Sequence, residues 1–80
     1  EMRKALRAYG EVLRLVRLLP KDSRGYYAKY ARENFVNYRD VEPDDVEELL
    51  MRTYNHSLWI LAKYAVEETA AEKLKQICSA

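Results

Sequence analysis

The polar and apolar positions of this 80-residue chain fall into three long stretches of helical period and one short one. From Met2 to Pro20 the side chains sort by azimuth, because residues three and four apart share a helix face. Arg3, Arg7, Arg14, Arg17 and Lys21 make a charged edge, with Gly10 standing where another basic residue would fit. Leu6, Tyr9, Leu13 and Val16 make a second face, and Ala5, Ala8, Val12, Leu15 and Leu19 a third. This apolar arc is wider than one neighbouring helix needs. The first helix, residues 2–19, is therefore expected to pack on two neighbours and still present a basic stripe. A glycine inside a helix costs about 1 kcal/mol relative to alanine, so Gly10 suggests close approach of a partner's backbone, or simple tolerance.

Pro20 disfavours helical geometry in the residue before it and ends this helix. Ser23 is the N-cap candidate for a second helix, residues 24–37. Its apolar face is Tyr27, Tyr30, Ala31, Asn34, Phe35 and Tyr38, flanked by Lys29 and Arg32. After a polar connection, Pro43 stands at a first-turn position ahead of Asp44, Asp45, Glu47 and Glu48, where proline and acids both suit a helix start. The third helix is predicted over 43–66, with Val46, Leu49, Leu50, Thr53, Tyr54, Ser57, Leu58, Leu61, Tyr64 and Ala65 inward. Thr53 and Ser57, small and polar one turn apart, read either as close helix packing or as room for a ligand. Trp59 shares an azimuth with Arg52, Asn55, His56 and Lys63, which makes it a candidate contact residue unless a fourth segment covers it. Ala70, Ala71, Leu74, Ile77 and Cys78 supply such a segment, a short helix over 70–78. The predicted fold is all-α: one domain, an antiparallel three-helix bundle with a short C-terminal helix.

A chain this short buries only about 60% of its unfolded surface, so help from a partner in burying apolar area is expected. Charge sharpens that picture. Residues 1–39 carry ten Lys/Arg and four Asp/Glu, a balance of +6; residues 40–80 carry four and nine, a balance of −5. Such asymmetry points to a charged partner. The acids between Asp40 and Glu48 have a local explanation in the helix start. The single Cys78 excludes an internal disulfide and suits a reducing compartment. No apolar run is long enough to span a membrane. Residues 2–17, basic and amphipathic with one acid at Glu11, resemble an organelle-targeting presequence. If Met2 is the natural start, targeting information lies inside the folded domain, and Glu1 leaves room for earlier residues.

Chemistry-bearing patterns are missing. His56 is the only histidine and has no metal-spaced companion. No Ser or Cys has a base in pattern, and no glycine-rich loop is present to cradle phosphate. No residue is nominated as catalytic or as a metal ligand.

The run Ala8-Tyr9-Gly10-Glu11-Val12-Leu13-Arg14 resembles the signature of the LYR-motif family, Leu-Tyr-Arg followed two residues later by Leu-Arg. Tyr9, Leu13 and Arg14 match; Ala8 and Gly10 replace the signature Leu and Arg. The stretch Tyr27 to Phe35, with central Arg32, is similar to the family's second helix. The likeness covers roughly residues 5–65, in order, spacing and length, and is strongest to small plant members. It implies a non-catalytic three-helix protein of the mitochondrial matrix that holds an acylated mitochondrial acyl carrier protein. It also implies service to a larger assembly: a respiratory complex, iron–sulfur machinery or the mitochondrial ribosome. No cofactor of its own is implied, only the acyl-4′-phosphopantetheine carried by the partner. By that resemblance, Arg7, Tyr9, Gly10, Arg14, Arg17, Lys29 and Arg32 are expected to meet the carrier and its arm. Tyr9, Leu13, Phe35, Thr53 and Ser57 are expected to line the acyl channel, and Trp59 to meet another partner. The physics suits this: phosphate calls for Arg or Lys donors, and each buried CH₂ is worth roughly 0.8 kcal/mol. The residues leave two alternatives open. One is a basic helical module binding RNA, against which the basic edge lacks interleaved exposed aromatics. The other is a structural subunit that uses its Trp59 face and needs no carrier.

Overall fold

The computed structural model describes residues 2–38 and 42–79. Four α-helices follow one another: α1 Met2–Val16, α2 Lys21–Tyr38, α3 Val46–Lys63 and α4 Glu72–Ser79. Short 3₁₀ turns at Pro43–Asp45 and Glu68–Ala71 lead into α3 and α4, and no strand occurs among the described residues. The expected all-α bundle is what forms.

The helix ends differ from the expected ones, each for a local reason. α1 stops at Val16 rather than Leu19, since the N–H groups of Arg17, Leu18 and Leu19 donate three residues back, a 3₁₀-like tightening of its last turn. Arg24 Nε donates to the Leu19 carbonyl at 2.8 Å and caps that turn. α2 begins at Lys21, three residues early. Ser23 is thus no N-cap: its N–H donates to the Pro20 carbonyl and its hydroxyl donates to Tyr64 Oη at 3.1 Å. Lys21 accordingly belongs to α2 and not to the basic edge of α1. α3 ends at Lys63, short of the predicted Val66. Ala65 adopts φ 58°, the N–H of Val66 donates to the Leu61 carbonyl at 2.8 Å, and that of Ala65 to the Ala62 carbonyl at 3.2 Å. This is a Schellman ending with alanine where glycine is usual. Ala65, placed inward by period, is exposed for the same reason. Expectations for the 39–41 connection and the Tyr38 side chain lie outside the described residues.

α1 is the hub. Its third face, Ala5, Ala8, Leu15 and Leu19, is buried, while Leu6 on the second face is half-exposed. It packs against α2 on one side and α4 on the other, with α3 completing the floor, so the wide apolar arc has its two neighbours and more. Leu50 and Leu61 of α3 join Leu74, Ile77 and Cys78 of α4 in the core. Charge pairs fasten the seams. Lys4 Nζ sits 3.3 Å from Glu47 of α3, and Glu11, the one acid of α1, gathers Arg14 at 2.8 Å and Lys73 of α4 at 3.9 Å. α2 is held mainly by α1 and meets α3 chiefly through aromatic contacts. That sparse attachment leaves space between α2 and α3.

Candidate functional site

The space between α2 and α3 is a narrow apolar cleft with a free volume of about 50 Å³. α1 supplies the floor through Ala8, Val12, Leu15 and Leu19; α2 supplies one wall through Tyr27, Ala31 and Asn34; α3 supplies the other through Thr53, Ser57 and Ile60. The floor is apolar because Ala8, Val12, Leu15 and Leu19 carry no polar side-chain atom, and α3 adds the small Thr53 and Ser57 beside Ile60. Thr53 Oγ1 donates to the Leu49 carbonyl at 2.9 Å, which satisfies its hydroxyl within the helix and turns it into lining. Ser57 is buried.

Toward Tyr64 the Tyr27 and Tyr64 rings meet edge-to-face at 6.0 Å, and Tyr30 lies 4.7 Å from the His56 ring. Toward the start of α1, Tyr9 is stacked on Phe35 at 4.8 Å and 21°. Tyr9 thus stands both in the cleft lining and in the α1–α2 seam, where the interior meets the outer surface of that helix pair.

Of the five expected lining residues, Tyr9, Thr53 and Ser57 converge on the cleft. Phe35 acts through Tyr9, as the ring against which it rests. Leu13 is half-buried and does not line the cleft, and its neighbour Val12 takes the floor position. His56 was missed as a lining residue. The residue pattern put it on the polar azimuth of Trp59 and left it without a metal-spaced companion, although its i, i+4 partner Ile60 and the neighbouring Ser57 mark the inward side. It lines both the cleft and the neighbouring aromatic hollow, with Nε2 buried and without a hydrogen-bond partner, and burial pushes its imidazole below the ordinary pKa.

Arg7, Lys29 and Arg32 are exposed on α1 and α2, and Arg17 is exposed in the turn that follows α1. Arg14 is engaged: besides Glu11, its Nη2 donates to the Ala70 carbonyl at 2.7 Å and so ties α1 to the 3₁₀ turn before α4. A β-carbon built at Gly10 meets nothing within 4 Å, so no intramolecular contact demands this glycine. Trp59 is 57% exposed; α4 packs elsewhere and leaves it uncovered. Lys63 Nζ lies 5.4 Å from its ring centroid, a cation–π contact at the rim of a second, wetter hollow lined by Asp22, Tyr26, Tyr30 and Tyr64. Among the described residues no cluster of His, Cys, Asp or Glu is arranged to hold a metal, and no helix is long and apolar enough to cross a membrane.

Fold and site together define a small helical protein with an apolar cleft floored by its N-terminal helix and a basic surface on the outside of α1 and α2. The chain is 66% identical over 79 residues to a LYR motif-containing protein of Arabidopsis thaliana, covering 96% of this chain and 98% of that protein. It is 58% identical over 57 residues to a LYR motif-containing protein of Physcomitrium patens, covering 70% of this chain and 86% of the relative. The protein belongs to the LYR motif-containing family. No family model and no solved structure matches it.

Proposed function

We propose that this protein is a non-catalytic adaptor of the mitochondrial matrix that holds an acylated acyl carrier protein and docks it onto a larger assembly. The observation that carries the reading is the apolar cleft between α2 and α3, where Tyr9, Thr53 and Ser57 meet. A flexible aliphatic chain matches this apolar lining and would enter by parting the sparsely attached α2 from α3, gaining roughly 0.8 kcal/mol for each CH₂ it buries there. The carrier is acidic and its arm bears a phosphate; Arg7, Lys29 and Arg32 on α1 and α2, with Arg17 just past the end of α1, are exposed cations that could meet it. Tyr9 sits where an arm passing from that surface would turn inward. Arg14 contributes as a neighbour, since its guanidinium already serves Glu11 and Ala70. The exposed Trp59 is the face offered to the assembly.

The test is calorimetric titration of the protein with acyl carrier protein, unloaded and loaded with a long saturated chain. The loaded carrier is expected to bind at least tenfold more tightly. Thr53→Phe, which fills the cleft, is expected to erase that difference and to spare the weak, salt-sensitive contact with the unloaded carrier. Reversing Arg7 and Arg32 to Glu is expected to weaken both forms. Equal affinity for the two forms in the wild type and in the filled variant would leave surface docking alone. Co-purification with mass spectrometry of bound protein and lipid names the client, and recovery of RNA in place of a carrier would overturn the proposal.

A further inference from the structure

α2 is fastened along two lines. Along its α1 side it is tied near both ends: Arg24 Nε donates to the Leu19 carbonyl at 2.8 Å, and Phe35 stacks on Tyr9 at 4.8 Å. Along its α3 side the contacts follow one stripe, because Ser23, Tyr27 and Tyr30 stand at i, i+4 and i+7 and share a helix face. The Ser23 hydroxyl donates to Tyr64 Oη at 3.1 Å, the Tyr27 ring meets the Tyr64 ring edge-on at 6.0 Å, and Tyr30 lies 4.7 Å from the His56 ring. The first line belongs to the extensive packing of α2 on α1. The second is a row of single weak contacts, and its hydroxyl bond is only part-buried, where water competes for it.

The cleft lies between these two lines, with α1 as its floor. Its free volume of about 50 Å³ holds about four waters, far less than a long aliphatic chain. Tyr27, Tyr30 and His56 line both the cleft and the aromatic hollow. The hollow has a free volume of about 530 Å³, so rings that leave the stripe have room to turn into it.

We propose that this stripe is a latch: the Ser23–Tyr64, Tyr27–Tyr64 and Tyr30–His56 contacts hold α2 closed on α3, and an aliphatic chain enters when they part and α2 turns on its α1 seam. This rests on the acyl-binding reading above and adds to it the regulation of entry. A chain that binds only the parted form draws on the fraction of molecules whose latch is open, so a weaker latch raises that fraction and speeds capture. An unloaded carrier meets only the exposed cations and is indifferent to the latch.

The experiment weakens the hydroxyl bond from each side. Ser23→Ala removes the donor, and Tyr64→Phe removes the acceptor while keeping the ring against Tyr27; the double variant completes the cycle. In the free full-length protein, amide hydrogen exchange across residues 27–34 is expected to rise about fivefold in either single variant and no further in the double one, with α1 and α4 unchanged. Stopped-flow mixing with acyl carrier protein bearing a saturated long chain is expected to show association about fivefold faster in the same variants, while the unloaded carrier associates as it does with the wild type. Exchange that does not rise in α2, rises equally in α1 and α4, or adds up in the double variant overturns the latch; the acyl-binding reading then stands wherever the wild type prefers the loaded carrier. Faster exchange in α2 without faster capture of the loaded carrier means that the chain does not enter past these contacts, and the proposal falls. A wild type that binds loaded and unloaded carrier alike removes the acyl-binding reading, and the proposal with it.

Discussion

Replacing Ala65 by glycine should stabilise this protein, and the size of the gain can be worked from the backbone. Ala65 holds φ 58° at the end of α3, where the N–H groups of Ala65 and Val66 reach back to Ala62 and Leu61. In that left-handed region the β-carbon crowds the following carbonyl, at a cost of about 1–2 kcal/mol. Glycine removes the crowding and keeps both hydrogen bonds. It also gives the unfolded chain more freedom, which takes back some 0.4–1 kcal/mol. Ala65 is exposed, so no packing is lost with its methyl group. The net gain is about 1 kcal/mol, equivalent to a rise in Tm of 4–8 °C for a domain of this size. Thermal melts followed by circular dichroism, together with urea titrations, read it directly; the urea midpoint should rise with an unchanged slope. Ala62→Gly provides the opposite control. Ala62 is also exposed but lies within α3, where glycine costs up to about 1 kcal/mol. The same substitution three residues apart should therefore move Tm in opposite directions. An unchanged or lowered Tm for Ala65→Gly would refute the assignment of strain to this residue.

Other substitutions test the remaining joints. Gly10→Ala fills open space on an exposed helix face and should raise stability by about 1 kcal/mol in denaturant titration; a simultaneous loss of carrier affinity would show that a partner's backbone needs the missing β-carbon. Arg14→Ala removes the donor to the Ala70 carbonyl and the partner of Glu11 and should cost about 1–2 kcal/mol, with hydrogen exchange rising first around Glu68–Ala71. For His56, burial lowers the folded-state pKa below the unfolded value of 6.5, so the fold favours the neutral ring. That contribution is fully present above pH 6.5 and is lost as pH falls from there through the folded value; in stability measured against pH, His56→Phe should flatten that stretch of the curve.

Much of this architecture was legible in the residue pattern, and what escaped it involves partners distant in sequence. Pro20 and Pro43 mark the connections between helices as expected, although the helix ends fall up to three residues from where period placed them. Ser23 has the right chemistry for a cap, but Tyr64, forty-one positions away, takes its hydroxyl. Arg14 belongs by spacing to a solvated stripe, yet it finds a backbone carbonyl fifty-six positions on. The end of α3 carried no glycine to announce it. Thr53 and Ser57 gave the cleft away because two small side chains one turn apart leave room wherever they face. Leu13 and Val12 were harder to separate: adjacent apolar residues on a wide arc are told apart only by where the neighbouring helices sit. His56 escaped because a lone histidine has no signature until the fold sets its surroundings.

The partnership of α1 with α4 has a consequence in time. The face formed by Ala5, Ala8, Leu15 and Leu19 is covered partly by the last helix of the described chain, Glu72–Ser79. During synthesis α1 must therefore wait for its second neighbour while the residues between Val16 and Ser79 are made, roughly 3–12 s at rates of 5–20 residues per second. For that interval the nascent chain displays a basic amphipathic segment whose apolar side is only partly occupied. A chaperone or a sorting receptor that recognises such segments has its opportunity then, and loses it once α4 docks.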